Sequence, residues 1–332
     1  MASTVSLIMP AYNAECFINE AIKSIQEQTY SQWELLIVDD GSSDATAAIA
    51  ECLASEDPRI RVMRQAPSGH AAVARNRALD VMRGDYVAFL DADDVSSPQR
   101  LSTCVTLLDD NSDTGYVFHN MWLMNENGVR RADSYLGAVH FLQTAATYLH
   151  ALDDKHYLLH PSYLEFMCLH YCAILSSSVM VRRSWFDTTG ARFPVDLVAG
   201  EDIDVWFRMA SDLRGQYVDS CLGGYRKYEG STTTHTETYL KDTIEAHRRN
   251  YARFHQRLGF EPCREYRYKI SRHRGYLAYH YAECGRWRDA LSHYFLGLML
   301  ERDPSQILPL VKCLVRAVLG KRPSVIRQVD EQ

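Results

Sequence analysis

Three carboxylates crowd into four positions at "DADD" (91–94), directly after the apolar run "YVAFL". Like charges that close repel one another, and a buried strand offers them nothing in return. A hard divalent cation would compensate them. Mg²⁺ and Mn²⁺ take oxygen ligands and typically combine one or two carboxylates with substrate phosphates. Asp91 and Asp93, two residues apart, can point to one side and hold such an ion. The aspartates are not needed as helix caps, because the pattern predicts the next helix to begin at Ser97 with Pro98 in its first position. A second acidic turn, "DDGSSD" (39–44), offers Asp39 or Asp40 as acceptor for a nucleotide base or ribose. Ser42 or Ser43 is the expected cap of the helix that follows. A third turn, "PAYN" (10–13), adds Tyr12, whose ring face can stack on a base.

These turns do chemistry together only if the fold gathers them. Residues 1–120 alternate apolar strands with helical patterns at βαβ spacing. Val5–Met9, Leu35–Val38, Ile60–Met63 and Tyr86–Leu90 read as strands, each a nearly continuous apolar run suited to a parallel sheet covered on both faces. Phe17–Gln28, Asp44–Ala54 and Ala71–Met82 read as the intervening helices. A doubly wound, mostly parallel α/β sheet flanked by helices follows. In such sheets ligands bind outside the carboxyl ends of the strands, and all three acidic or aromatic turns are strand ends.

Further along, "SSSVMVRRSWF" (176–186) reads as a strand leading into a short helix, "GEDIDVWFRMASD" (200–212) as a helix, and "GQYVDSCLGGYRKY" (215–228) as strand and turn. Residues 125–170 carry no clear period. After Thr238 the pattern is helical. Residues 277–304 match a single tetratricopeptide-like unit, which cannot stack alone and reads as a helical hairpin. The last apolar stripe, Ile307, Leu310, Val311, Leu314, Val315, Val318 and Leu319, is accompanied by Lys312, Arg316, Lys321 and Arg322. Packing onto the hairpin and peripheral contact with a membrane surface explain that stripe equally well.

The chain has 332 residues and a formal net charge of −6, which argues against binding a nucleic-acid backbone. Nine cysteines, an odd number without a CxxC pair, fit reduced thiols in a cytoplasmic protein. Cys168, His170 and Cys172 lack the paired spacing of structural zinc. No signal peptide and no run of roughly 20 apolar residues is visible. Neither GxGxxG nor GxxxxGK[ST] occurs, which disfavours dinucleotide dehydrogenases and P-loop enzymes and leaves phosphate binding to a metal.

Three stretches carry a resemblance: "PAYNAECFINEAIKSIQEQTYSQWELLIVDDGSSDAT", "ARNRALDVMRGDYVAFLDADD" and "GEDIDVWFRM". In that order and spacing they resemble a family 2 glycosyltransferase of the GT-A fold, over about residues 4–230. The resemblance implies an inverting enzyme that moves a sugar from a nucleotide-diphosphate donor, expected to be a UDP-sugar, to the hydroxyl of a saccharide or lipid-linked acceptor. It implies Mn²⁺ or Mg²⁺ as cofactor and a place in cell-envelope or exopolysaccharide assembly. Residues 1–238 would form the catalytic domain and residues 239–332 a helical C-terminal extension. Pro10, Tyr12 and Asp39 would hold the nucleoside, with Arg75 near the base or diphosphate. Asp93 would be the direct metal ligand, and Asp91 would share the ion while lying nearer the ribose.

The same resemblance makes Asp202 the catalytic base. At a helix N-terminus the dipole would keep it ionised but make it a weaker base, so positioning must matter more than basicity. Glu201 is the alternative capping acid, and Asp204 with Arg208 would form a surface ion pair. One departure stands out. Many relatives follow a Tyr–Arg pair with a histidine two residues on; here Tyr225 and Arg226 are followed by Tyr228, and His235 is the expected substitute. Two other classes compete: a nucleotide-sugar-binding scaffold, and a sugar-phosphate nucleotidyltransferase, which usually has an N-terminal glycine-rich basic stretch absent here.

Overall fold

A computed structural model describes residues 3–228 and 236–319. Eleven strands form one sheet: β1 (Val5–Ala11), β2 (Trp33–Asp39), β3 (Ile60–Arg64), β4 (Tyr86–Phe89), β5 (Val95–Ser96), β6 (Thr114–Met124), β7 (Arg130–Ala132), β8 (Leu149–Ala151), β9 (His156–Leu159), β10 (Val179–Arg182) and β11 (Arg214–Arg226). Their spatial order is β3-β2-β1-β4-β10-β6-β11-β9-β8, with β5 against β11 and β7 against β6. The mostly parallel, helix-flanked sheet expected from the sequence is present. β3, β2, β1 and β4 are mutually parallel, as are β6 and β11, while β10 runs antiparallel between β4 and β6.

The helices between the first strands are α1 (Ile18–Gln26), α2 (Thr46–Glu56), α3 (Ala71–Leu79) and α4 (Arg100–Asp109). Residues 125–170, unreadable from periodicity, add β7, β8 and β9 with the short helices α5 (Tyr135–Ala138), α6 (Phe141–Thr144) and α7 (Tyr163–Leu169), so β9 and β8 widen the sheet at its far edge. Then come α8 (Arg183–Thr189) and α9 (Glu201–Asp212). Two apolar layers sandwich the sheet. One contains Ile8, Val38, Phe89, Phe193 and Trp206; the other contains Leu7, Ile37, Ala88, Ile22 and Leu101. Alternate residues of each inner strand therefore face opposite layers, which is why these strands are apolar throughout.

Two helix starts fall later than the sequence suggested. α2 begins at Thr46, and neither Ser42 nor Ser43 caps it. Asp44 instead accepts from the Thr46 N–H at 3.0 Å and from its hydroxyl. α4 begins at Arg100, two residues past Pro98, behind a turn closed by Arg100 N–H donating to Ser97 O at 3.0 Å. In both places a longer turn sits between the strand and its helix.

Beyond β11 the described residues are mostly helical: α10 (Thr236–Phe254), α11 (Phe260–Glu283), α12 (Trp287–Met299) and α13 (Ile307–Leu319). α11 and α12 make the expected hairpin, turning at Gly285 with φ +75°. This region is anchored to the sheet domain by an ionic contact. Asp204 on α9 is buried and accepts from Arg208 at 3.0 Å and from Arg253 of α10. The Asp204–Arg208 pair is thus no surface feature; α10 covers it. The apolar stripe of α13 does not pack as a unit either. Only Cys313 of that helix is buried. Among the described residues no helix is long and apolar enough to cross a membrane.

Candidate functional site

The strand register places the site. Ala11 at the end of β1 pairs with Asp39 at the end of β2, and Leu90 N–H, just past β4, donates to Ile8 O at 3.0 Å. The turns after β1, β2 and β4 therefore emerge side by side. The first two are laced together. Asn13 N–H donates to the Ser42 hydroxyl at 2.9 Å, and Ser43 N–H donates to Asn13 Oδ1 at 2.9 Å. Gly41, at φ +75°, is required at the bend: a Cβ there would meet Pro67 Cδ at 2.5 Å.

Asp39 and Asp40 divide two tasks. Asp40 accepts from Gln65 Nε2 at 2.7 Å and from the Ser68 and Gly69 N–H groups at 3.0 Å, so it ties down the loop before α3. Asp39 is 1% exposed, and its Oδ1 is buried without a partner. An unpaired carboxylate oxygen in such a place is costly unless a ligand donor meets it. Tyr12 is 57% exposed beside this turn, its ring uncovered.

The "DADD" turn is held from beneath. Arg100, fully buried, donates to Phe89 O at 2.9 Å. Arg226, 2% exposed, donates its backbone N–H to Asp94 at 2.9 Å, its Nε to Asp93 O at 2.7 Å and its Nη2 to Glu20 at 2.6 Å. Asp94 is thereby a framework residue, while Asp91 and Asp93 remain partly accessible. Burial, then the neighbouring Asp91 charge, pushes Asp93 up to about 6. The Tyr228 hydroxyl hydrogen-bonds to the Asp93 carboxylate, so the residue standing where relatives carry histidine touches the turn directly. His235 lies outside the described residues.

Arg75 of α3 joins this turn to α9. It is 4% exposed, and it donates Nη2 to Asp91 at 2.7 Å and Nη1 to Glu201 at 2.5 Å. Its two Nη groups bridge two acids, while its buried Nε has no partner. Asp202 follows Glu201 at the start of α9, where Gly200 adopts φ +74°. Its Oδ1 accepts from Ile203 N–H at 2.7 Å and its Oδ2 from the Ser176 hydroxyl at 3.3 Å. The helix position was expected to weaken this acid as a base. Burial outweighs it: Asp202 is held above the usual carboxylate range despite the opposing Arg75 charge and the Ile203 N–H. Burial likewise raises Glu201 to about 7 against the pull of Arg75.

Three arginines, Arg75, Arg100 and Arg226, thus stand among six acids: Glu20, Asp91, Asp93, Asp94, Glu201 and Asp202. The excess of negative charge fits a divalent cation. No three His, Cys, Asp or Glu side chains are placed to close a metal site among the described residues. Two carboxylates alone leave most of an oxygen shell open for phosphate, the usual arrangement for Mg²⁺ or Mn²⁺. The Cys168–His170–Cys172 triplet forms no such site; the buried Cys168 thiol is raised to about 12. Hollows of about 260 and 530 Å³ lie elsewhere, around Trp185 and around Asp85, and neither touches these acids. The turns after β1, β2 and β4, with the start of α9, form the shelf on which these acids sit.

Sequence reasoning missed Glu201 as the partner of Arg75, and it missed Ser176 and Ser177, whose hydroxyls meet Asp202 and the Asp91 N–H. The "SSS" run was their only signal. Removing Arg75 should be severe. Arg75→Met leaves Glu201 buried without its cation, and breaking a buried pair from one side costs about 3–5 kcal/mol. Because Glu201 titrates near 7 in the fold and near 4.5 unfolded, its ionised form weighs against the fold fully above about pH 7 and not below about 4.5. Urea melts should therefore show a larger loss for Arg75→Met at pH 8 than at pH 5.

Comparison with known proteins bears on the family and the fold. The family model described as Glycosyl transferase family 2 matches residues 6–180, more than half of the chain. A UDP-Glc:alpha-D-GlcNAc-diphosphoundecaprenol beta-1,3-glucosyltransferase, WfgD of Escherichia coli, is 38% identical over 125 residues, 38% of this chain and 48% of that protein. The putative teichuronic acid biosynthesis glycosyltransferase TuaG of Bacillus subtilis is 38% identical over 124 residues, 37% of this chain and 49% of its own. The chain thus spans about half the length of these curated relatives. Among solved structures, S. aureus TarS 1-349 in complex with UDP-GlcNAc superposes with a TM-score of 0.61 at 18% identity, over 99% of this chain and 95% of that one. The mannosyltransferase PcManGT from Pyrobaculum calidifontis, in complex with GDP-Man and Mn²⁺, gives 0.58 at 17% identity, over 97% and 89%. At such identities the structural likeness speaks for the fold. With the strand-end turns, the fold and the family match in agreement, the chain belongs to glycosyl transferase family 2.

Proposed function

We propose that the chain is an inverting glycosyltransferase that takes a UDP-sugar as donor and a saccharide or lipid-linked hydroxyl as acceptor, in the assembly of an envelope or exported polysaccharide. The observation that carries this reading is the Arg75 bridge. It sets the donor-side acid Asp91 and the helix carrying Asp202 against one guanidinium, so a donor on the shelf and an acceptor over α9 would meet there.

The chain's own residues have distinct parts. Asp39 Oδ1, unpartnered, would accept the imide N–H of uracil, and Tyr12 beside Pro10 would cover the base. Asp91 and Asp93 would hold Mn²⁺ or Mg²⁺, which when bound stabilises charge on the departing diphosphate as a Lewis acid. Asp202 would take the proton from the acceptor hydroxyl as its oxygen attacks the anomeric carbon from the face opposite the leaving diphosphate. Burial makes Asp202 a better base than an exposed aspartate, and Ser176 with the Ile203 N–H fixes its orientation. Relatives named for undecaprenol-diphosphate and teichuronic acid chemistry support the envelope assignment.

A screen of UDP-, GDP- and dTDP-sugars with Mn²⁺, scored by release of nucleoside diphosphate, tests the reading. Turnover confined to a uridine donor is the expected result. Binding without any turnover, with every donor and acceptor offered, would favour the scaffold alternative.

A further inference from the structure

α13 presents two different faces. At about 100° per residue, Leu310, Cys313 and Ala317 fall on one arc, and this is the side with the helix's buried residue. Leu308, Val311, Leu314, Val315, Val318 and Leu319 fall on a second arc of roughly 140° together with Ile307. This second face is open: exposure runs from 46% at Leu314 to 83% at Val318. α12 adds Phe295 and Met299, exposed at 51% and 57% and one turn apart. So much uncovered apolar surface marks a contact with something.

Charge identifies the occupant. Lys312 and Arg316 lie at one edge of the open arc, and neither pairs with an acid among the described residues. From Pro304 to Val329 the sequence contains five bases (Lys312, Arg316, Lys321, Arg322, Arg327) and no acid, within a chain of net charge −6. A second copy docking symmetrically would bring two like basic edges together with no acid on the helix to answer them. An anionic phospholipid surface answers both features at once, with acyl chains for the open arc and headgroup phosphates for its basic edge.

We propose that α13 lies in the plane of an anionic bilayer, its open face immersed at the headgroup–acyl boundary and Lys312 and Arg316 on the lipid phosphates. This docking stands apart from the donor chemistry above and survives if that reading fails. It goes beyond the general membrane contact compatible with the sequence by naming the face, the edge and the lipid charge.

The test is co-sedimentation of the full chain with vesicles of phosphatidylglycerol and phosphatidylcholine in equal parts, against phosphatidylcholine alone. Binding to the anionic vesicles that weakens with added salt is expected. Lys312→Gln with Arg316→Gln should lower the partition coefficient about fivefold per base, roughly 25-fold together. Leu314→Asp with Val318→Asp should abolish binding while leaving the melting temperature and donor turnover in solution unchanged, since both side chains are exposed and remote from the shelf. Undiminished binding of both double variants would overturn the proposal. So would failure of the wild-type chain to bind anionic vesicles, or a dimer in sedimentation velocity that the aspartate variant dissolves.

Discussion

Asp202→Asn should lower the turnover number by 10²–10⁴-fold, the usual worth of a positioned general base, while donor affinity by calorimetry stays within about twofold of wild type. Asparagine keeps one oxygen for the Ile203 N–H, and its amide NH2 can donate to the Ser176 hydroxyl oxygen, so the start of α9 should hold its shape. What it removes is the proton acceptor. Because burial holds Asp202 above the usual carboxylate range, its acid limb should also be visible: kcat/KM should fall as pH falls, beginning above the ordinary value near 4. The Asn variant should lose that limb. Near-normal transfer by Asp202→Asn would move the base elsewhere, and Glu201, one residue away and raised to about 7, would be the first alternative.

The second large effect concerns the other side of the shelf. Asp93→Ala should abolish the divalent-dependent part of donor binding, at least about a hundredfold in affinity, because only Asp91 would then remain to hold the ion. Titrating a UDP-sugar with and without Mn²⁺ isolates that part. The fold should tolerate the change. Asp93 is partly accessible, and its backbone oxygen, the atom Arg226 Nε reaches, is kept. Tyr228 would lose its carboxylate partner, so Tyr228→Phe is the matching control. It removes the hydroxyl but no carboxylate, and it should retain metal-dependent binding.

How much of this was legible in the chain follows from how local each cause is. The first four strands were readable because their apolar runs are set by burial on both faces. α9 was readable from its amphipathic period. The turns were less so. Ser42, Ser43, Ser97 and Pro98 look like helix-start residues, yet three-dimensional lacing to Asn13 and a closed turn at Ser97 use them otherwise. The Asn13 partner lies about thirty residues away, where periodicity says nothing, and the Ser97 turn only delays the helix start by a few residues. The same holds for acids. Asp204 and Arg208 read as a solvent-exposed pair four residues apart, and only the docking of α10 with Arg253 buries them. Asp202 looked weakened by its helix, whereas burial, with the Asp91 charge after it, raises it, and neither is visible in sequence. Residues 125–170 stayed unread because their strands are only three or four residues long and pair at the sheet's edge.

The account rests on acids from separate strand ends meeting a divalent ion and a diphosphate on one shelf. A crystal structure with UDP and Mn²⁺, phased for the anomalous signal of manganese, tests this most directly. The predicted map has one strong anomalous peak bonded to Asp93, with Asp91 close by, the diphosphate oxygens on its open side, and the uracil N–H on Asp39 Oδ1. A peak elsewhere, or a nucleotide bound away from Asp39 with the two carboxylates still turned to Arg75 and Tyr228, would contradict it.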